Sequence, residues 1–138
     1  MLCYHGTAAD ILPVIQVKGL LPKGSNGATQ WARKFMPAIG MFKMDDLGDR
    51  AQSVYVTLDV GFAEMFASFA ATLRHSKAII ITLDIPKSEL TIDERFVEDK
   101  SDPMYGKGFK HVGPISPDRI VSVQNIAINP MIAAVSHA

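Results

Sequence analysis

A chain of 138 residues with 48% hydrophobic and 20% charged side chains has enough apolar material for the core of one domain. Lys and Arg number 14, as do Asp and Glu, so the formal charge is zero, which argues against nucleic-acid binding by bulk charge. No apolar run is long enough to span a membrane, the start lacks the basic-then-apolar pattern of a signal peptide, and the single Cys3 excludes an internal disulfide, so the expected location is cytoplasmic.

In chain order, residues 2–6 read as a short strand with Leu2 and Tyr4 on one face and Cys3 and His5 on the other. A helix is expected from about Ala8 to Lys18, with Ile11, Leu12 and Ile15 as its apolar stripe and Gly19 at its C-terminal end; Pro13 fits only in its first turn. Residues 23–52 carry four of the chain's glycines and two aromatic-basic clusters, around Trp31-Ala32-Arg33-Lys34-Phe35 and Met41-Phe42-Lys43-Met44. They read as a long functional loop. Ser53–Thr57 alternates, with Val54 and Val56 toward the core and Ser53, Tyr55 and Thr57 on the opposite, polar face. Asp59 is placed to cap a helix reaching about Arg74, whose buried side is read as Phe62, Ala63, Phe66, Ala67, Phe69, Ala70 and Leu73.

Residues 78–85 are almost all apolar and read as a central strand stopped by Pro86. Leu90-Thr91-Ile92 is a short extended piece, residues 93–108 a loop, and 109–112 and 119–128 closing strands joined by the turn Gly113-Pro114-Ile115-Ser116-Pro117. Asn129-Pro130 is placed to start a terminal helix. The order of elements predicts an α+β fold with a largely antiparallel sheet, and no GxGxxG or Walker loop is present.

The string Tyr4-His5-Gly6-Thr7, followed by Ile11-Leu12, Gly19-Leu20 and Pro22, resembles the opening of the ADP-ribosyltransferase superfamily. Val54-Tyr55-Val56-Thr57 with a helix containing Ala63 and Phe66-Ala67 resembles its second motif, and Gly113–Ile120 its closing hairpin. The pattern is similar to the branch with a His-Tyr-acid triad, which includes the poly-ADP-ribose polymerases, diphtheria-type toxins and the small rifamycin-modifying transferases, and the length is closest to the last. The resemblance implies split antiparallel sheets around an NAD+ cleft, with NAD+ as co-substrate and no metal. It implies transfer of ADP-ribose to a protein, nucleic-acid or small-molecule acceptor, with release of nicotinamide. It further implies that His5 binds a ribose hydroxyl and that Tyr55 stacks on nicotinamide. Those roles require the imidazole of His5 and the ring of Tyr55 to line one pocket.

The chemistry explains the residue types. Breaking the nicotinamide–ribose bond leaves an oxocarbenium-like sugar, which needs a fixed leaving group and nearby negative charge. Gly6 lets its backbone N–H and C=O approach a carboxamide. Thr7 and Ser53 flank these groups and are placed to add hydrogen bonds; Phe66, with Phe62, is a candidate second wall of the nicotinamide slot, although their helical spacing is more often core packing and at least one of them is read as core. The strand before the closing turn, Gly108-Phe109-Lys110-His111-Val112, lacks the glutamate that many superfamily members carry. The small rifamycin-modifying transferases resemble this chain in having acids shortly after the central strand, and that resemblance implies Asp93 as the acid, with Glu94 second. With Leu90 and Ile92 toward the core, Asp93 faces the cleft, whereas solvated loop acids are the plain alternative. His111 is another occupant of the missing position.

Weaker constellations remain. Cys3 and His5 share a strand face, but side chains two apart on a strand are roughly 7 Å apart, too far for a nucleophile–base hydrogen bond. The histidines at 5, 75, 111 and 137 have no metal-ligand spacing. The aromatic-basic loop suits acceptor recognition. A degenerate binding or inhibitor module of the same fold is a second reading, supported by the missing carboxylate. An RNA 2′-phosphotransferase is a third, opposed by Tyr55 standing where that family has histidine.

Overall fold

The computed structural model describes residues 1–22, 53–93, 101 and 106–132. The loop 23–52, with its aromatic-basic clusters, and Glu94 lie outside the described residues. Six strands, β1 (Leu2–Ala8), β2 (Ser53–Thr57), β3 (Ala78–Asp84), β4 (Thr91–Ile92), β5 (Gly108–Val112) and β6 (Ile120–Ile126), form one sheet in the order β4-β5-β2-β1-β3-β6. Every pairing is antiparallel. Two helices accompany it, α1 (Leu12–Lys18) and α2 (Val60–Arg74).

The expected α+β class with an antiparallel sheet is what the chain forms, but the split into separate sheets that the resemblance implies is not seen among the described residues, where all six strands join one sheet. β1 is longer than its apolar pattern indicates, running on through Gly6 and Thr7 to Ala8 because β3 pairs with it along its whole length. The helix expected from Ala8 begins later. Residues Ala9–Ile11 form a 3-10 turn, and Pro13 then falls in the first turn of α1, where its missing N–H costs nothing. Gly19 ends α1 at φ 80, with its N–H donating to Ile15 O at 2.8 Å, and a side chain there would strike the Ile115 carbonyl. Glycine is required on both counts. Leu20 then bridges to Ile115, tying the first loop to the closing turn.

α2 starts where the sequence places it. The Asp59 side chain accepts from the Phe62 N–H at 2.9 Å, and the helix ends at His75 in the left-handed conformation, φ 52. Its buried residues are Ala63, Ala67, Ser68, Phe69, Ala70 and Ala71; Phe62, Phe66 and Leu73, read as buried, are only partly so. At the other end, Asn129 caps a helical turn beginning at Pro130, its Oδ1 accepting from the Met131 N–H at 2.9 Å.

Both faces of the central strands are covered, while the edge strands β4 and β6 are largely exposed. Residues directly opposite on paired strands share a face. One face presents Cys3, Ile79, Ile81, Leu83, Val54, Val56 and Phe109, which pack with Ile15, Leu20, Ile85 and Ile115 into the main core. On the other, α2 lies so close that a Cβ on Gly6 would overlap the Ala63 carbonyl, and Ala67 and Ala71 pack on Ala78. We call these the core face and the helix face.

Candidate functional site

The site is built at an interruption in the sheet. β1 and β3 are paired at seven consecutive positions, but β1 and β2 at one, Tyr4 with Thr57. The direction of the backbone groups shows what is left over. Ala9 N–H donates to Lys77 O and Met1 O accepts from Ile85 N–H, so odd-numbered residues of β1 turn their polar backbone toward β3 and even-numbered ones toward β2. On β2, Leu58 N–H donates to Lys107 O beside β5, so Thr57 and Tyr55 turn theirs toward β1. After Tyr4–Thr57 the next hydrogen-bonded pair of a regular ladder is Gly6–Tyr55. It is not formed. Instead the His5 ring takes Tyr55, its Nδ1 donating to the Tyr55 carbonyl at 2.8 Å. A carbonyl only accepts, so Nδ1 carries the proton and Nε2 is the acceptor of the neutral ring. Gly6 therefore directs its N–H and C=O into a seam where no strand among the described residues pairs with it.

Strand alternation settles the expected pocket of His5 and Tyr55. His5 lies on the core face with Cys3 and Thr7; Tyr55 lies on the helix face with Ser53 and Thr57. The two rings stand on opposite faces, and what joins them is the imidazole reaching through the seam to the Tyr55 backbone. No pocket is walled by both rings: Tyr55 stands on one side of the sheet and His5 braces its backbone from the other.

Thr7 and Ser53 are also placed differently from the reading of them as open-cleft ligands. Thr7 is buried on the core face, away from Tyr55. Ser53 and Thr57 share the Tyr55 face, but both are buried, so of the three polar residues only Tyr55 is half-open. Phe66 is better placed. Ser68 Oγ accepts from the Asn129 N–H at 2.9 Å, which turns that flank of α2 toward β6. Phe66 lies two residues earlier, about 200° round the helix, and so faces the β2 side with Phe62. Its ring meets Phe69 edge-on, centroids 6.4 Å apart.

Asp93 follows β4, and its N–H donates to Gly108 O at 2.9 Å. Extending the β4–β5 register by one sets Asp93 opposite Gly108, and Gly108 is opposite Thr57. Asp93 thus shares the helix face with Tyr55. It is 5% exposed, so it is no solvated loop acid. Leu90 and Ile92 both lie on the core face, as expected, with Ile92 opposite Phe109, but they are not equally covered. Leu90 packs against the core, whereas Ile92 is 44% exposed, because β4 is a two-residue edge strand with nothing beyond it among the described residues to cover it. Sequence reasoning passed over Lys110, which the register sets directly opposite Tyr55 and directly opposite Thr91. The signal was present in the alternation of β5, since Lys110 is the polar residue two positions from Gly108.

His111 is on the core face opposite Val54, not beside Tyr55. Its Nδ1 contacts Gly113 O at 3.1 Å, and its Nε2 is 3.7 Å from Glu89, which also pairs with Arg119 at 3.0 Å. These contacts tie the closing turn to the 3-10 turn before β4, and they remove His111 as a substitute for the missing acid. Cys3 is fully buried, and burial pushes its thiol up to about 11, against the opposing pull of the N-terminal ammonium. Such a thiol is protonated at neutral pH and is no nucleophile. Among the described residues no cluster of three His, Cys, Asp or Glu side chains is suited to a metal ion, and no helix is long and apolar enough to cross a membrane. No family model matches this sequence, and no curated protein is similar to it.

Proposed function

We propose that the protein is an NAD+-dependent ADP-ribosyltransferase of the ADP-ribosyltransferase-like fold, acting in the cytoplasm on a protein, nucleic-acid or small-molecule acceptor. The observation that carries this reading is the unpaired Gly6 edge of the β1–β2 seam. A carboxamide offers one donor and one acceptor side by side, the complement of the Gly6 C=O and N–H. The Tyr55 ring beside that edge, with the Phe62 and Phe66 flank of α2 on the same side, suits a flat aromatic leaving group. In this arrangement His5 acts from the core face, its Nδ1 holding the Tyr55 carbonyl, and it is not assigned a ribose contact. Asp93, on the Tyr55 face, supplies negative charge to the sugar cation as the glycosidic bond lengthens. Nicotinamide leaves neutral, and the acceptor's nucleophile attacks the anomeric carbon from the vacated side.

The test is release of labelled nicotinamide by the full chain in a lysate that supplies acceptors. Release by the wild type, abolished in Tyr55→Ala and Asp93→Asn variants with unchanged circular dichroism, supports transfer. Absence of both release and calorimetric NAD+ binding overturns it. Binding without release favours the second reading, a non-catalytic module, for which the specific observation is a lysine on β5, opposite Tyr55, in a strand without an acid.

A further inference from the structure

We propose that Lys110 is a further residue of this site: its ammonium group is the counter-charge that positions the buried Asp93 carboxylate on the Tyr55 face of the sheet. The argument begins with burial. Asp93 is 5% exposed, and a carboxylate removed from water is retained in a fold only when a donor or a cation compensates it.

The neighbours on that face narrow the choice. Directly opposite Asp93 is Gly108, which has no side chain. Beyond Gly108 is Thr57, whose hydroxyl proton is already donated to Lys107 O at 3.0 Å, while its oxygen accepts from Asp59 N–H. Thr57 has no proton left for Asp93. Lys107 precedes β5 and is exposed. Lys110 is opposite Thr91, hence diagonal to Asp93 on the same face, a separation of about 7–8 Å between backbones that a lysine side chain spans easily. It is itself only partly exposed.

The same lysine is directly opposite Tyr55. It therefore links Tyr55 to the acid two strands away, and an untethered Asp93 is left without a fixed direction. Lys110 acts through Asp93 and is a positioning residue. The role of Asp93 as the acid rests on the proposed transferase reading; the pairing itself does not. Among the described residues, the other charged groups around Asp93 are Lys107 on the β5 side and Asp59 beyond β2, with Tyr4 and Tyr55 the phenols on the shared face.

The experiment is a double-mutant cycle on the full chain with Asp93→Asn, Lys110→Met and the pair, alongside Lys110→Arg. Urea unfolding measures the pairing without any substrate. Each single change is expected to lower the midpoint, the double change to be no worse than the worse single one, and Lys110→Arg to restore it. In nicotinamide release, Lys110→Met is expected to lower kcat by about 100-fold with KM little changed, and Lys110→Arg to recover most of it. The carboxyl carbon resonance of Asp93 adds a signature that packing alone does not move: its titration midpoint should rise in Lys110→Met and return in Lys110→Arg. Additive unfolding effects with an unmoved Asp93 titration overturn the proposal. So does a rise in KM that grows with salt at constant kcat, since that result makes Lys110 a grip on substrate phosphate. If coupling is found and the wild type releases no nicotinamide, the pairing stands and the transferase reading fails.

Discussion

β1 has two neighbours and treats them oppositely. With β3 it forms seven unbroken pairs, and the strand beyond, β6, continues the ladder with one irregularity at Thr82/Leu83. With β2 it forms one pair and then parts, held by a side chain where backbone pairing would be expected. The first half is what alternating apolar residues make by default. The second requires a residue that competes with the backbone, and His5 is that residue. The comparison teaches where to look for function in this fold: at the half where a regular ladder is refused.

The largest expected effects break the contrast from each side. Ile81 is fully buried in the paired half, and Ile81→Ala should cost about 4 kcal/mol in urea unfolding by removing core contacts. Gly6→Ala should cost about 3 kcal/mol for a different reason, since the new Cβ strikes the Ala63 carbonyl of α2 and the helix must lift. Gly113 serves as the control. Its φ of 84 disfavours alanine, but nothing lies near the added Cβ, so Gly113→Ala should cost only about 1 kcal/mol. If Gly6→Ala proves as mild as Gly113→Ala, the close approach of α2 to the seam is wrong.

A second measurement sharpens the contrast through pH. The Cys3 thiol, in the paired half, is held up at about 11 by burial, whereas in the unfolded chain it ionises near 9. The folded state therefore binds the proton more tightly. This contribution is complete below pH 9 and is lost as pH rises to 11, by at most about 2–3 kcal/mol. Urea midpoints at pH 8 and pH 10.5 should converge in Cys3→Ala relative to wild type. A difference that persists unchanged assigns the alkaline loss to other groups.

Much of the frame was legible in the sequence because it rests on local patterns. Ser53–Thr57 alternates, Asp59 caps α2, and Ala78–Ile81 is apolar on both faces because α2 covers one and the main core the other. What was not legible is which strand pairs with which, and for how long. No residue of β1 or β2 announces that pairing stops after Tyr4–Thr57. The glycine at 6 was read as an opening for a ligand, and its missing side chain is in fact required by α2; only the direction of its backbone groups bears on a ligand. Alternation placed Asp93 on the right face, but its burial depends on β5, whose register with β4 no local pattern encodes.

The smallest effect on stability is expected at the residue that matters most for the seam. His5→Leu removes a single hydrogen bond to the Tyr55 carbonyl, worth about 1 kcal/mol. If His5 keeps β1 and β2 apart, its loss should also let Gly6 and Tyr55 complete the ladder, which offsets part of that cost and closes the seam. The variant should then be nearly as stable as wild type, show slower hydrogen exchange at the Gly6 amide, and fail to bind NAD+. His5→Asn restores an N–H donor at a similar reach and should keep the seam open, with Gly6 exchange close to wild type. Exchange that is equally fast in all three proteins means the seam is held open by something other than the imidazole. In that case the side chain at position 5 is a ligand to be explained only by what it binds.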